Sequence, residues 1–549
     1  MEEIFSKNSG KAILLGNEAI VRGALESGVN FVSTYPGTPA SEIGNIFYKI
    51  SKEAGVYFEF STNEKVALEA SIGASFSGLK TLVAMKNFGL NVCLDALFPF
   101  VYTGSKGPTV IIVADDPSCH SSAQSEENSR GILLATHIPV LEPSDPQECK
   151  DFVKLGYQIS ERFKTPVVIR TTTRVAHQKA PVKLNEIPNN KSQITKGEFV
   201  RNKHQFVTLP PRVFEMKAEL LEKIERIKEF SEKSIINKIS GNGKIGIITS
   251  GVSYLNVMDA QEELGVNLSV FKLGFFNPLP EEKIKAFLRP LKKVLVVEEL
   301  EPFLEDEIKR LAKEVNCKLE IFGKGLIPEI GETKPEDVIF ALAKVLNPKS
   351  QIPNPKQIQN TKTKIQTTGR LPQLCPGCPY WMVISAIKKA VNENEVIFGG
   401  EIGCYMLFGN APVNLQDYLF CMGSSMGIAH GIKKATKGQQ KLITFIGDSS
   451  FFHSGIPPLI NTVFNKSNPL VIILNNETTA MTGHQPHPVS AGMENNINIE
   501  NIVRACGVKY VKTIDQANQE EFTNTVKDFL EKDTVSVIIA KHPCKFVKK

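Results

Sequence analysis

Lys441 to Gly455 reads KLITFIGDSSFFHSG. An unbroken β-branched and aromatic run followed at once by Gly447-Asp448-Ser449 reads as a strand covered on both faces that ends in a tight turn. Runs of the same kind recur along the chain: GVNFVSTY (28–35), TLVAM (81–85), PTVIIVADD (108–116), TPVVIRTT (165–172), KIGIITSG (244–251), KVLVVEEL (293–300), PLVIILNN (469–476) and VSVIIA (535–540). They alternate with helical stretches such as NEKVALEASIGASFSG (63–78). Apolar strands alternating with helices predict an α/β protein built on parallel sheets.

With 549 residues the chain exceeds what one hydrophobic core organises, which predicts about three domains. Hydrophobic residues make up 42% and charged residues 22%, an ordinary globular composition. No apolar run approaches the roughly 18 residues of a membrane span. The first residues, MEEIFSKNSGK, mix acids and bases and carry no signal-peptide pattern, so the expected compartment is the cytoplasm. The net charge of +6 comes from scattered lysines, not from a basic tract interleaved with aromatics, which argues against nucleic acid as a partner. Ten cysteines in so long a chain suggest buried, metal-bound or reactive thiols rather than a disulfide framework.

The alternation lapses twice. Residues 181–243 are polar and rich in Asn and Lys, with one charged amphipathic helix expected from Val213 to Phe230, and read as a connector. Residues 348–370 are rich in Pro, Asn, Gln and Lys and read as a linker too poor in apolar area to order itself. The α/β units are then 1–180, 244–347 and 371–549.

Gly, Asp and Ser are ordinary turn residues, and the 447–449 turn alone asks for nothing more. The strand PLVIIL, however, ends in Asn475-Asn476, which puts a second oxygen-bearing side chain at the carboxyl edge of a parallel sheet, where ligands bind. A carboxylate, an amide oxygen and a backbone carbonyl form the hard-oxygen set that Mg²⁺ takes from a protein while phosphate oxygens and water complete its octahedron. A metal-bound diphosphate is the sharper reading.

At this point the chain resembles the thiamine diphosphate enzymes, whose fingerprint is Gly-Asp-Gly followed at similar spacing by Asn-Asn; here Ser449 stands for the last glycine. The resemblance implies Asp448, Asn476 and the Thr478 carbonyl as Mg²⁺ ligands, with Gly447 and Ser449 at the cofactor. MGSSMG (422–427) resembles the segment whose large apolar residue props the cofactor, which implies cofactor contacts for Gly423 and Met426. A helical methionine also serves as plain core filler. The carboxylate facing the aminopyrimidine ring falls on Glu64, which opens a helix after VYFEFST; an acid there is also favoured by the helix dipole alone.

The match narrows further. LLGNEAIVRGALESGVNFVSTYPGTPASEI (14–43), MKNFGLNV (85–92), ADDPSCHSSAQSEENSR (114–130), CPGCPYWM (375–382), EIGCYM (401–406), GDSSFFHSGIPPLINTVFNK (447–466) and NNETTAMTGHQPHP (475–488) together resemble the large subunits of the indolepyruvate ferredoxin oxidoreductase family. That resemblance implies a pyrimidine-binding domain at 1–180, a transketolase C-terminal-like domain at 244–347 and a diphosphate-binding domain at 371–549. It implies oxidative decarboxylation of aryl pyruvates, of the indolepyruvate and phenylpyruvate type, to aryl-acetyl-CoA, with electrons passed to ferredoxin. It further implies a smaller beta subunit as partner, two of each, and substrate or cofactor contacts at Thr38 and Arg130.

Cys375-Pro-Gly-Cys378 alone fits a zinc knuckle or a redox pair. Cys404 and Cys544 complete a set whose counterparts in the family bind a 4Fe-4S cluster. Cys93, Cys119, Cys149, Cys317, Cys421 and Cys506 lack such spacing and are expected to be buried small hydrophobes. His453, His484 and His487 lie in the cofactor unit; imidazoles there can bind a substrate carboxylate or relay protons, the two last being the catalytic candidates, and each can equally be structural.

Two departures from the family pattern stand out. The cysteine-rich ferredoxin-like domain common at the family's C-terminus is missing after Cys544, which implies a separate ferredoxin-like subunit or external carrier. Asn87 stands where the family pattern has His, so the exact 2-oxoacid stays open. A non-oxidative thiamine diphosphate-dependent decarboxylase, and a scaffold subunit holding zinc on the four cysteines, are the alternatives. The cysteines favour the oxidative reading; Asp448, Asn476 and Glu64 would be expendable in a scaffold.

Overall fold

A computed structural model describes residues 4, 9–122, 124–188, 197–208, 210–348, 373–419, 421–436, 440–490, 492 and 496–547. The chain divides into two compact units, Met1–Ile365 and Gln366–Lys549. The linker expected at 348–370 lies outside the described residues, apart from Pro348. Among the described residues no helix is long and apolar enough to cross a membrane.

The second unit carries one six-stranded, all-parallel sheet in the order Tyr418–Leu419, Val396–Gly400, Lys441–Gly447, Leu470–Asn475, Ser536–Lys541, Tyr510–Asp515. The continuous apolar runs seen in the sequence follow from this position. Successive side chains of a strand point to opposite faces, and both faces are covered. Ile443, Phe445, Ile472 and Leu474 pack with Tyr380, Ile384 and Phe408, while Ile446, Val471 and Ile473 pack with Met426, Phe451 and Leu459. Each such side chain, fully buried, is worth roughly 1.5–3 kcal/mol relative to exposure.

The first unit holds a seven-stranded sheet in the order Phe275–Asn277, Val140–Leu141, Val167–Thr172, Thr109–Asp115, Thr81–Lys86, Phe31–Thr34, Tyr57–Phe60. A five-stranded sheet runs Glu320–Phe322, Lys293–Val297, Ile245–Ser250, Ser269–Leu273, Lys238–Ser240. These two sheets are interlocked. Phe275–Asn277, from the 244–347 stretch, pairs antiparallel with Val140–Leu141 at the edge of the larger sheet. One apolar core joins Val83 and Ile111 of the first sheet to Ile248 and Val294 of the second.

The stretch read as a connector is part of this architecture. Its helix runs Arg212–Lys233 and buries Met216, Leu220 and Ile227, and Lys238–Ser240 becomes an edge strand of the smaller sheet. Upstream, Lys179–Leu184 pairs antiparallel with Gly10–Leu15. Polar composition along 181–243 concealed how much of this helix the surrounding core covers.

Candidate active site

The strand Lys441–Gly447 delivers Asp448 to the carboxyl edge of the second unit's sheet. The Asp448 carboxylate is buried and accepts three main-chain N–H groups: Ser449 at 2.8 Å on Oδ1, and Asn476 at 3.1 Å and Glu477 at 2.9 Å on Oδ2. Asp448 thus ties the end of its own strand to the end of Leu470–Asn475, its parallel neighbour. Asn476 turns its Oδ1 to the N–H of Thr478 at 3.2 Å, and the hydroxyl of Thr479 donates to Ser449 Oγ at 3.2 Å. Glu477 between them adopts φ 62°, so the chain reverses sharply and keeps the three polar residues on one edge.

This donor set, one carboxylate, one amide oxygen and main-chain carbonyls, is hard and suits Mg²⁺. Phe451–Gly455 forms a π-helical turn directly after the helical turn Asp448–Ser450. Pro457 and Pro458, which begin the following turn, lack the N–H groups that regular α-helical pairing there requires. His487 lies against the same carboxylate: its side chain is 5% exposed, Nε2 stands 3.4 Å from Asp448 Oδ2, and neither ring nitrogen makes a hydrogen bond among the described residues. A buried imidazole with both nitrogens unspent is suited to a ligand or a mobile proton.

One acid escaped sequence reasoning. Glu401, at the end of Val396–Gly400, is fully buried and accepts hydrogen bonds from the Tyr405 hydroxyl and the Gly423 N–H. Burial pushes its carboxyl up to about 7 against those hydrogen bonds and the nearby His453. The available signal was its place after a strand-like VIFGG, at the same edge as Asp448. Gly423 must be glycine: its φ is +79°, and a Cβ there would stand 2.3 Å from Ser454 Oγ. Gly447 is close-packed too, a Cβ there coming within 3.0 Å of the Tyr405 ring. Met426 is fully buried and packs with Ile446 and Phe451, the core-filling arrangement. His453, also buried, shares a 2.9 Å contact through Nδ1 with Ser454 Oγ.

Cys375, Cys378, Cys404 and Cys544 come together from three separate parts of the chain to line one cavity of about 240 Å³. Its other walls include Leu407, Met481, Phe546, Asn476 and His484. The Cys544 N–H donates to the Asn476 carbonyl at 3.1 Å, which links this cavity to the Asp448 edge. Burial pushes the Cys404 thiol up to about 12, with the other three sulfurs adding to the shift, and burial raises Cys378 as well. Thiols in that state become ligands by losing protons to a metal. Among the described residues no three His, Cys, Asp or Glu side chains are drawn together as a metal-holding group, so the thiols share a cavity without being closed on one point. His484 is exposed and meets the Phe546 ring edge-on, 6.2 Å between centroids. Of the remaining cysteines Cys93 and Cys149 are buried as expected, and Cys119 and Cys506 are half-buried. Cys317 and Cys421 are exposed, contrary to expectation, because each sits in a loop or turn that no core element covers.

In the first unit, Glu64 opens the helix Glu64–Phe76, capped by the Asn63 side chain on the Val66 N–H at 2.8 Å. Glu64 is buried and lies so close to Gly89 that a Cβ there would stand 2.6 Å from its Cγ. The Gly in MKNFGLNV therefore makes room for the acid. Asn87 is buried and donates to the Glu127 carbonyl at 3.3 Å. Thr38 is half-buried at the carboxyl edge after Phe31–Thr34, its Oγ1 3.4 Å from Ser41 Oγ.

Arg130, read from the sequence as a candidate for substrate or cofactor contacts, lies buried and tied into an ion network. It donates to Glu142 at 2.8 and 2.6 Å, to Glu298 at 2.9 Å and to Ser250 at 2.8 Å, and its guanidinium stacks 4.4 Å from the Phe276 ring centroid. Burial works against the charge of Glu142, yet Arg130 and Arg170 hold that carboxyl down at about 2. Nearly every guanidinium donor is spent on the junction of the two sheets.

Comparison with known proteins agrees with this layout. Three family models match in succession: "Pyruvate flavodoxin/ferredoxin oxidoreductase, thiamine diP-bdg" over 22–226, "Indolepyruvate oxidoreductase domain" over 237–354, and "Thiamine pyrophosphate enzyme, C-terminal TPP binding domain" over 401–540. The chain is 42% identical to the indolepyruvate oxidoreductase subunit IorA of Methanothermobacter thermautotrophicus, over 99% of this chain and 88% of that one. The proteins of the same name from Pyrococcus horikoshii (40%, over 98% and 87%) and Archaeoglobus fulgidus (40%, over 97% and 86%) are similarly close.

Proposed function

The chain belongs to the family of indolepyruvate oxidoreductase IorA subunits, and on that premise we propose that it oxidatively decarboxylates aryl pyruvates of the indolepyruvate and phenylpyruvate type, yielding aryl-acetyl-CoA and passing electrons to ferredoxin or a separate ferredoxin-like subunit. It is a 2-oxoacid oxidoreductase with thiamine diphosphate-binding domains. A smaller beta subunit completes the enzyme, two of each, in the cytoplasm.

When bound, thiamine diphosphate supplies the carbon nucleophile that adds to the 2-oxo group and the electron sink into which carbon dioxide departs. Asp448, Asn476 and the Thr478 carbonyl would hold Mg²⁺ and through it the diphosphate, with Gly447, Ser449 and Gly423 giving the backbone room to approach; Met426 would support that segment from the core. Glu64 is the candidate carboxylate for the cofactor's aminopyrimidine ring. His487 holds or moves a proton beside Asp448, and His484 does so at the rim of the cysteine cavity. Thr38 contacts the substrate. Cys375, Cys378, Cys404 and Cys544 would hold one 4Fe-4S cluster, a group that supplies one-electron redox chemistry when bound.

The observation that carries the oxidative reading is Asn476, whose carbonyl accepts the Cys544 N–H while its residue lines the cysteine cavity and its N–H binds Asp448. An electron acceptor on those thiols would sit against the diphosphate-binding edge. The test is the iron, acid-labile sulfide and zinc content of anaerobically purified protein, with its visible spectrum before and after adding indolepyruvate and thiamine diphosphate. About four irons and four sulfides per chain, with substrate-dependent bleaching, are expected. Zinc without colour would overturn the reading in favour of a non-oxidative decarboxylase or a scaffold.

A further inference from the structure

Arg130 is committed to the junction of two sheets, whereas Lys86, another cation of the first unit, has the place and the chemistry to meet a carboxylate. It is the last residue of Thr81–Lys86, whose parallel neighbours are Phe31–Thr34 and Thr109–Asp115, so it stands at the carboxyl edge where α/β sheets take ligands. Its stem runs under the loop that carries Thr38: a Cβ on Gly37 would stand 3.0 Å from Lys86 Cγ. Its Nζ lies 4.5 Å from the Phe88 ring centroid.

Burial pulls the Lys86 amine below its usual pKa, while Glu64, Asp116, Glu127 and Cys119 favour its charged form. None of these acids is in ion-pair contact with it among the described residues, and two are engaged elsewhere. Asp116 accepts from the Thr173 hydroxyl and from the Ser121 N–H at 2.7 Å. Glu127 accepts from Asn91 Nδ2 at 2.9 Å, and burial raises its pKa, which weakens its hold on a neighbouring cation. Among the described residues the ammonium therefore keeps unspent N–H donors in a partly desolvated place, where a charged hydrogen bond to a carboxylate recovers what burial costs.

We propose that Lys86 anchors the carboxylate of the 2-oxoacid beside Thr38. The inference rests on the 2-oxoacid reading above but not on which side chain the substrate carries.

The test is calorimetric binding of unreactive 3-indolepropionate and of its neutral amide to the complete enzyme, loaded with thiamine diphosphate and Mg²⁺, as wild type, Lys86→Met and Lys86→Arg. Wild type is expected to prefer the acid by about tenfold or more, Lys86→Met to lose that preference while binding thiamine diphosphate as wild type does, and Lys86→Arg to retain most of it. A Lys86→Met enzyme that keeps the wild-type preference, or a wild type without one, overturns the assignment. A wild type that prefers the acid through Lys86 yet does not turn over indolepyruvate supports the anchor and overturns the aryl pyruvate substrate instead.

Discussion

His487 Nε2 stands 3.4 Å from Asp448 Oδ2, on the same oxygen that the N–H groups of Asn476 and Glu477 already occupy. Asp448→Ala should weaken thiamine diphosphate binding by about a hundredfold or more, since loss even of an outer-shell partner costs ten- to a hundredfold in a metal site. Titration of the apoprotein with cofactor and Mg²⁺ reads this directly. Asp448→Asn separates charge from shape, because the amide keeps an acceptor for the backbone; wild-type affinity in that variant would sink the metal-ligand role.

Cys404 sits on the other side of Asn476, in the cysteine cavity. Cys404→Ser is expected to lower iron per chain and to stop reduction of a ferredoxin or viologen acceptor, while cofactor affinity stays near wild type. Normal acceptor reduction by the variant would remove the thiols from the electron path.

Much of this site was legible because local pattern carried it. Strand runs ending in Gly447-Asp448 and Asn475-Asn476 must place those side chains at one sheet edge once the sheet is parallel, and CPGC announces thiols at short range. What stayed hidden depends on residues distant in sequence. Arg130 and Lys86 are both isolated cations in the sequence; only the folded chain brings Glu142 and Glu298 onto the first and, among the described residues, leaves the second without an ion pair. Glu401 likewise acquires its role from Gly423 and Tyr405, which reach it only after the edge has assembled. Leu220 and Ile227 marked an amphipathic helix, yet the cores that receive them come from two sheets.

Arg130→Ala should cost about 3–5 kcal/mol, because removing one member of a buried ion network strands the others. Chemical unfolding of the full chain measures it, and a stability within about 0.5 kcal/mol of wild type, as at an ordinary surface site, would contradict the structural role. The same network sets an acid limit. Glu142 has a folded value of about 2 against an ordinary 4.5, so its contribution is complete above pH 4.5 and disappears as the pH falls toward 2. Glu142→Gln should flatten that part of the acid-denaturation curve.

Glu401 predicts the opposite slope. Its folded value of about 7 lies above the ordinary 4.5, so the native state holds a proton that the unfolded chain has released. Stability then falls as the pH rises from about 4.5 to about 7 and levels off beyond, by up to about 3 kcal/mol at 1.4 kcal/mol per unit. Glu299, buried in the first unit and also raised to about 7, contributes a similar decline, so a single substitution removes only part of it. Glu401→Gln keeps its one amide oxygen for the Gly423 N–H, lets its amide N–H donate to the Tyr405 oxygen while that hydroxyl donates to the Ile402 carbonyl, and cannot ionise. Its melting temperature should therefore gain on wild type as the pH is raised from 5 to 7.5. Parallel profiles for the two proteins would mean that Glu401 stays ionised throughout, held by Tyr405 and Gly423 more firmly than burial opposes it.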